Sequence, residues 1–110
     1  MANNYKSPKQ VVPSVNTWTT LYTVPVSTQA VTSNMHVCNF GSSQATFRIA
    51  LRPDGENLAD KHYIFYGLNI AANDTVQLGD GITMEETDIL QVYASSGSLS
   101  FNLSYAEVTS

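Results

Sequence analysis

Leu99, Phe101, Leu103 and Tyr105 alternate with Ser98, Ser100, Asn102 and Ser104. Residues 45–52 repeat the pattern, with Ala45, Phe47, Ile49 and Leu51 set against Thr46, Arg48, Ala50 and Arg52. A period of two places each set on its own face of a strand, and alternation this clean belongs to antiparallel sheets with one packed and one wet face. The chain is thereby directed to an all-β fold. Its wet-face residues are mostly Ser, Thr, Asn and Gln, which carry little catalytic chemistry. That points to a scaffold or a binding module before an enzyme.

The same reading predicts about eight strands, over residues 19–24, 29–40, 45–52, 62–66 (continuing through 68–70), 75–78, 82–84, 89–94 and 98–105. Pro53-Asp54-Gly55, Asn73-Asp74, Gly79-Asp80-Gly81 and Ser95-Ser96-Gly97 supply the turns between them. The length of segment 29–40 calls for a bulge near Ser33–Asn34, and 89–94 with 98–105 reads as a hairpin. Turn signals every 8–12 residues suit an antiparallel β-sandwich of jelly-roll type. At 110 residues the chain makes one such domain. The expected division is an extended N-terminal arm over 1–14, which is polar and interrupted by Pro8 and Pro13, and a sandwich over 15–110. Tyr5, Lys6, Lys9, Val11 and Val12 are the arm residues expected to grip a partner.

Only 13% of the residues are charged, about half the share usual in globular proteins. Few charges need to be desolvated when such a surface meets another, which favours life in an assembly. Lys6, Lys9, Arg48 and Arg52 precede every acid, whereas all nine acids follow Pro53 against Lys61 alone, for a net charge of −4. A basic patch on one copy can then face an acidic patch on the next. Five cations are too few for a phosphate-tracking stripe, so nucleic acid is not an expected partner. No stretch approaches the roughly 20 apolar residues of a membrane span, nor do residues 1–10 read as a signal peptide, so no membrane is expected and synthesis is assigned to a cytoplasm.

Sites for chemistry are sparse. His36 and Cys38 share a strand face but supply two ligands where zinc takes about four, and Cys38 is the single cysteine. No Ser stands in a nucleophile turn. The Asp-Gly pairs at 54–55 and 80–81 lack the alternating oxygen ligands of a calcium loop. Glu85, Glu86 and Asp88 read as an exposed acidic turn. No catalytic residue, metal or cofactor is assigned. Tyr63 and Phe65, two apart on one predicted strand, offer an aromatic platform for a sugar ring.

The segments MANNYK (1–6), LYTVP (21–25), VCN (37–39), ATFRIA (45–50), LRP (51–53), ADKHY (59–63), ANDT (72–75), VYAS (92–95) and LSFN (99–102) occur in this order along the whole chain. Together they resemble a family of short virion structural proteins of tailed bacteriophages, especially those infecting cyanobacteria and other aquatic hosts. The chain departs from the family at LGDGI (78–82), where a Leu/Thr-rich strand is usual. The resemblance implies a non-enzymatic β-sandwich of the virion, assembled in the host cytoplasm. The reading it favours is a capsid decoration (cement) protein, homotrimeric and bound to the major capsid protein or other virion proteins. The alternative is a tail, baseplate or fibre module that binds a receptor or carbohydrate.

Overall fold

The computed structural model describes residues 2–5, 8–79 and 81–109, with side chains for 8–79 and 81–108. Its strands are β1 (Ala2–Tyr5), β2 (Lys9–Val11), β3 (Thr19–Thr23), β4 (Thr28–Asn39), β5 (Ala45–Arg52), β6 (Tyr63–Ile70), β7 (Thr75–Leu78), β8 (Thr83–Met84), β9 (Ile89–Ala94) and β10 (Leu99–Thr109). The eight segments that alternation and turn chemistry mark out are β3 to β10. Two more strands lie in the stretch read as an arm, where neither alternation nor length signals them.

One sheet runs β1-β10-β4-β7, with β2 also on β10 and β8 also on β4; the other runs β3-β9-β5-β6. These pairings are those of a single long hairpin rolled on itself. Its tip is β5 with β6. Outward from the tip come β4 with β7 and β8, then β3 with β9, then β1 and β2 with β10. Rolling brings β10 beside β4 and β9 beside β5, which closes two facing sheets in jelly-roll order. The N-terminal strands are therefore the outermost layer of the ribbon. They lie along the β10 edge, and Pro8, just before β2, cannot donate to a ladder.

The predicted hairpin of 89–94 with 98–105 does not form. β9 pairs with β3 and β5 in one sheet while β10 pairs with β4 in the other, so the turn at 95–98 crosses between layers. Each strand has one apolar face, and both faces are satisfied by opposing each other across the core rather than lying side by side. Phe47 of β5 and Phe101 of β10 meet there edge to face with centroids 5.8 Å apart. Around them Ile49, Leu90, Val92, Val37, Leu99 and Leu103 are almost fully buried.

The bulge expected near Ser33–Asn34 is present. Ser104 pairs with Asn34 and Tyr105 with Thr32, leaving Ser33 without an opposite residue. This extra residue switches the inward set from Ala30 and Thr32 to Met35, Val37 and Asn39.

Two polar locks join the sheets at opposite ends. Buried Asn39 donates to the carbonyls of Ser43 (2.9 Å) and Ile70 (3.2 Å), and its Oδ1 accepts from the Gly41 amide and Ser98 hydroxyl, both at 3.0 Å. At the other end the Tyr22 hydroxyl donates to buried Glu107 at 2.5 Å, with the Tyr105 ring 4.5 Å from that of Tyr22. Burial, and then the hydrogen bond to Glu107 and its charge, hold the Tyr22 phenol far above its ordinary range. Burial followed by the same carboxylate raises Tyr105 as well.

Candidate interaction surfaces

The outer face of the β4 sheet carries Gln29, Val31, Ser33, His36 and Cys38 from β4, Ser100, Asn102, Ser104, Ala106 and Val108 from β10, and Thr75 and Gln77 from β7. None of these is Asp, Glu, Lys or Arg, and the nearest carboxylate bonded to the face is that of Glu85, which accepts from Gln29 at its end. Their hydrogen bonds run along the wall: Gln10 Nε2 donates to Asn102 Oδ1, Gln77 Nε2 to Asn34 Oδ1, and the Ser33 hydroxyl to the Ser104 carbonyl. A wall of small polar groups, already partly satisfied among themselves, costs little to desolvate against a neighbour.

The outer face of the other sheet is different. Ala50 and Gln91 are register partners on that face, and both are buried. Beside them lies a cluster drawn from four chain segments. Trp18 stacks on Tyr63 at 6.1 Å and meets Tyr93 at 5.3 Å, and Tyr63 meets Tyr66 edge to face at 4.7 Å. The Arg48 guanidinium lies between two of these rings, 4.3 Å from the centroid of Tyr66 and 4.6 Å from that of Tyr93. Tyr66 is 61% exposed. The Tyr93 hydroxyl donates to Asn16 Oδ1, which ties the segment before β3 to the cluster.

Tyr63 and Phe65 do not share a face. Tyr63 pairs with Ala50, Phe65 with Ile49 and Tyr66 with Arg48, with one register shift between Tyr63 and Phe65 and another just after Tyr66. The first shift puts Phe65 against the core, where with Ile64, Met35 and Leu78 it lines an apolar crevice of about 20 Å³, the room of a single water. Tyr66 takes the place beside Tyr63 that strict alternation assigns to Phe65.

The residues expected to grip a partner from the arm are also dispersed. Tyr5 pairs through its backbone with Ala106, and Lys6 lies outside the described residues. Lys9 is exposed opposite Leu103, Val11 packs on the core opposite Phe101, and Val12 is 52% exposed just beyond. Val11, Val12, Gln10 and Asn102 line a shallow groove where β2 leaves β10.

The acidic segments are organised by hydrogen bonds. Buried Asp88 accepts from the Asp54 amide (2.8 Å) through Oδ1 and from the Glu85 amide (2.9 Å) through Oδ2, while the Thr87 amide donates to the Val24 carbonyl. Asp88 is thus a clip between two loops, and on the exposed tip it fixes the Glu85 carboxylate accepts from the Gln29 side-chain amide (2.9 and 3.1 Å) and Glu86 Oε2 from the Ser27 amide (2.7 Å). Asp80 lies outside the described residues. Buried His62 accepts from the Ala59 amide at Nδ1 and contacts Glu56 at Nε2, which closes the loop before β6. Among the described residues no three His, Cys, Asp or Glu side chains gather as a metal site requires.

No protein-family model matches the chain. No curated protein matches it. Among solved structures it is similar to a chain of the T13 IBDV viral particle, at 10% identity and a TM-score of 0.49, over 96% of this chain and 30% of that one. It is also similar to a pentameric capsid protein isolated from metagenomic phage sequences, in two crystal structures. Both show 16% identity and a TM-score of 0.38 over 94% of this chain, and cover 60% and 62% of theirs. The chain thus spans less than two thirds of the length of each of these proteins.

Proposed function

We propose that the chain is a non-enzymatic structural protein of a bacteriophage virion and, within it, a capsid decoration (cement) protein. The observation that carries this reading is the outer wall of the β4 sheet, a broad polar face with no Asp, Glu, Lys or Arg among its described strand residues and suited to burial against neighbours. The family resemblance along the whole sequence points the same way. The mechanism is mass action: many copies that bind the assembled shell more tightly than its free subunits stabilise the shell. In this reading the copies form trimers, and the segment 1–14 meets the major capsid protein through Lys9, Val12 and the groove beside β2.

The rival tail module with a sugar site would draw on the cluster around Arg48. A sugar platform needs free ring faces, whereas Trp18, Tyr63 and Tyr93 spend theirs on one another and on Arg48. The cluster therefore does not favour that reading.

Heads assembled without the chain should take up the purified protein and then release their genome only at a higher temperature. Uptake should fall sharply when the exposed Lys9 and Val12 are replaced together, by Lys9→Glu and Val12→Asp, changes that leave the buried core untouched. Absence of uptake by intact heads contradicts the cement role.

A further inference from the structure

We propose that the Arg48 cluster is the contact between copies of this chain, and that its occupant is the Glu85–Glu86 tip of the next copy. This deepens the shell-subunit reading by naming the surface through which copies meet. Arg48 lies between Tyr66 and Tyr93 on the two neighbouring strands, its guanidinium carbon 4.3 and 4.6 Å from their ring centroids, and it has no carboxylate within ion-pair distance among the described residues. An arginine fixed in this way is prepared to receive a carboxylate through two parallel N–H bonds, with little side-chain freedom left to lose. Arg52 and Lys61, by contrast, are engaged with the Glu56 carbonyl and carboxylate within their own loop.

The composition around Arg48 also matters. Trp, Tyr and Arg are the residues on which protein interfaces concentrate their binding energy. Here they come together on an outer face, with Tyr66 projecting.

The complementary charge is on the same chain but out of reach. Arg48 pairs with Tyr93 and Arg52 with Ile89, so the acidic tip before Ile89 begins about 13 Å further along the sheet at about 3.3 Å per residue. The Asp88 clip and the Val24–Thr87 bond hold that tip at the end of the sandwich. The pairing is therefore satisfied between molecules. A tip that docks on a neighbour's face without exchange is a heterologous contact, which closes into a ring of three or more copies where the rotation between copies closes and otherwise runs on as a filament.

Sedimentation velocity of the purified chain over a concentration series, at low and at high salt, tests this. The wild type should assemble with rising concentration into oligomers of three or more copies, and the assembly should weaken as salt rises. Arg48→Glu, and separately Glu85→Lys with Glu86→Lys, should each weaken assembly by at least about tenfold. The charge-swapped chain carrying all three changes should assemble again. Tyr66→Ser, at an exposed ring, should weaken assembly as well and gives a second reading if Arg48→Glu fails to fold. A wild type that stays monomeric at millimolar concentration overturns the contact, as does undiminished assembly of the variants or failure of the swap to restore it. The assay uses the isolated chain. A monomer that still decorates heads would refute this contact and leave the virion assignment standing.

Discussion

Asn39 is the residue whose loss the sandwich should feel most directly among its polar groups. Its amide satisfies the Ser43 carbonyl in the turn before β5 and the Ile70 carbonyl at the end of β6, and its oxygen holds the turn at Gly41 and Ser98 just before β10. Asn39→Ala leaves those buried partners without their bonds. It should cost about 2 kcal/mol or more and lower Tm by roughly 10 °C in a calorimeter. Gly41 beside it has no room for a side chain, because a Cβ there would lie 2.7 Å from the Cβ and Oγ of Ser98.

At the other lock the sign of a pH effect follows from Tyr22. An unfolded tyrosine ionises near about pH 10, whereas burial and Glu107 keep the folded phenol protonated well above that. The contribution is full below the unfolded pKa and is lost as pH rises above it, because the unfolded state then releases the proton and the folded state does not. Stability measured by denaturant titration should therefore fall from about pH 10 upward. Tyr22→Phe should be less stable than wild type at neutral pH and should lose less on going alkaline. An unchanged alkaline slope in Tyr22→Phe would remove Tyr22 as its cause.

At the scale of elements, alternation made the strands legible but not their partners. The segments 45–52 and 98–105 were readable because each has one apolar face, a property of the residues themselves. Whether neighbours in sequence pair or face each other across a core is decided by the whole ribbon, which is why β9 and β10 part company at 95–98. β1 and β2 were hidden for a related reason: they are strands because β10 offers an edge, and three or four residues around Pro8 carry no pattern of their own.

Bulges account for the misplaced aromatic. Ile64, left unpaired between Tyr63 and Phe65, brings Tyr66 rather than Phe65 to the outer face, and Gly67, with φ of 74°, is the unpaired residue of a second slip just beyond Tyr66. Nothing lies within 4 Å of a Cβ at Gly67. Gly67→Ala should therefore cost about 1 kcal/mol through backbone strain alone, without a change in the core. A larger loss in chemical denaturation, with altered near-ultraviolet aromatic signals, would mean that the slip itself had been undone.

At the scale of the whole molecule, two outer faces of opposite character explain why a chain with few charges and little chemistry is well suited to assembly. One wall is broad and built of small polar groups; the other concentrates its rings around a single arginine. Neither was visible as a surface in the sequence, because Trp18, Arg48, Tyr66 and Tyr93 come from four segments that only the rolled ribbon brings together. What the sequence did carry was the rarity of charge and its separation into a basic first part and an acidic remainder. The structure turns that separation into an outward-facing Arg48 and a clipped acidic tip.

The most direct test of the proposed role is to image intact virions labelled with an antibody against this chain. Regular label over the whole head is the result expected of a decoration protein. Label confined to the tail would contradict it.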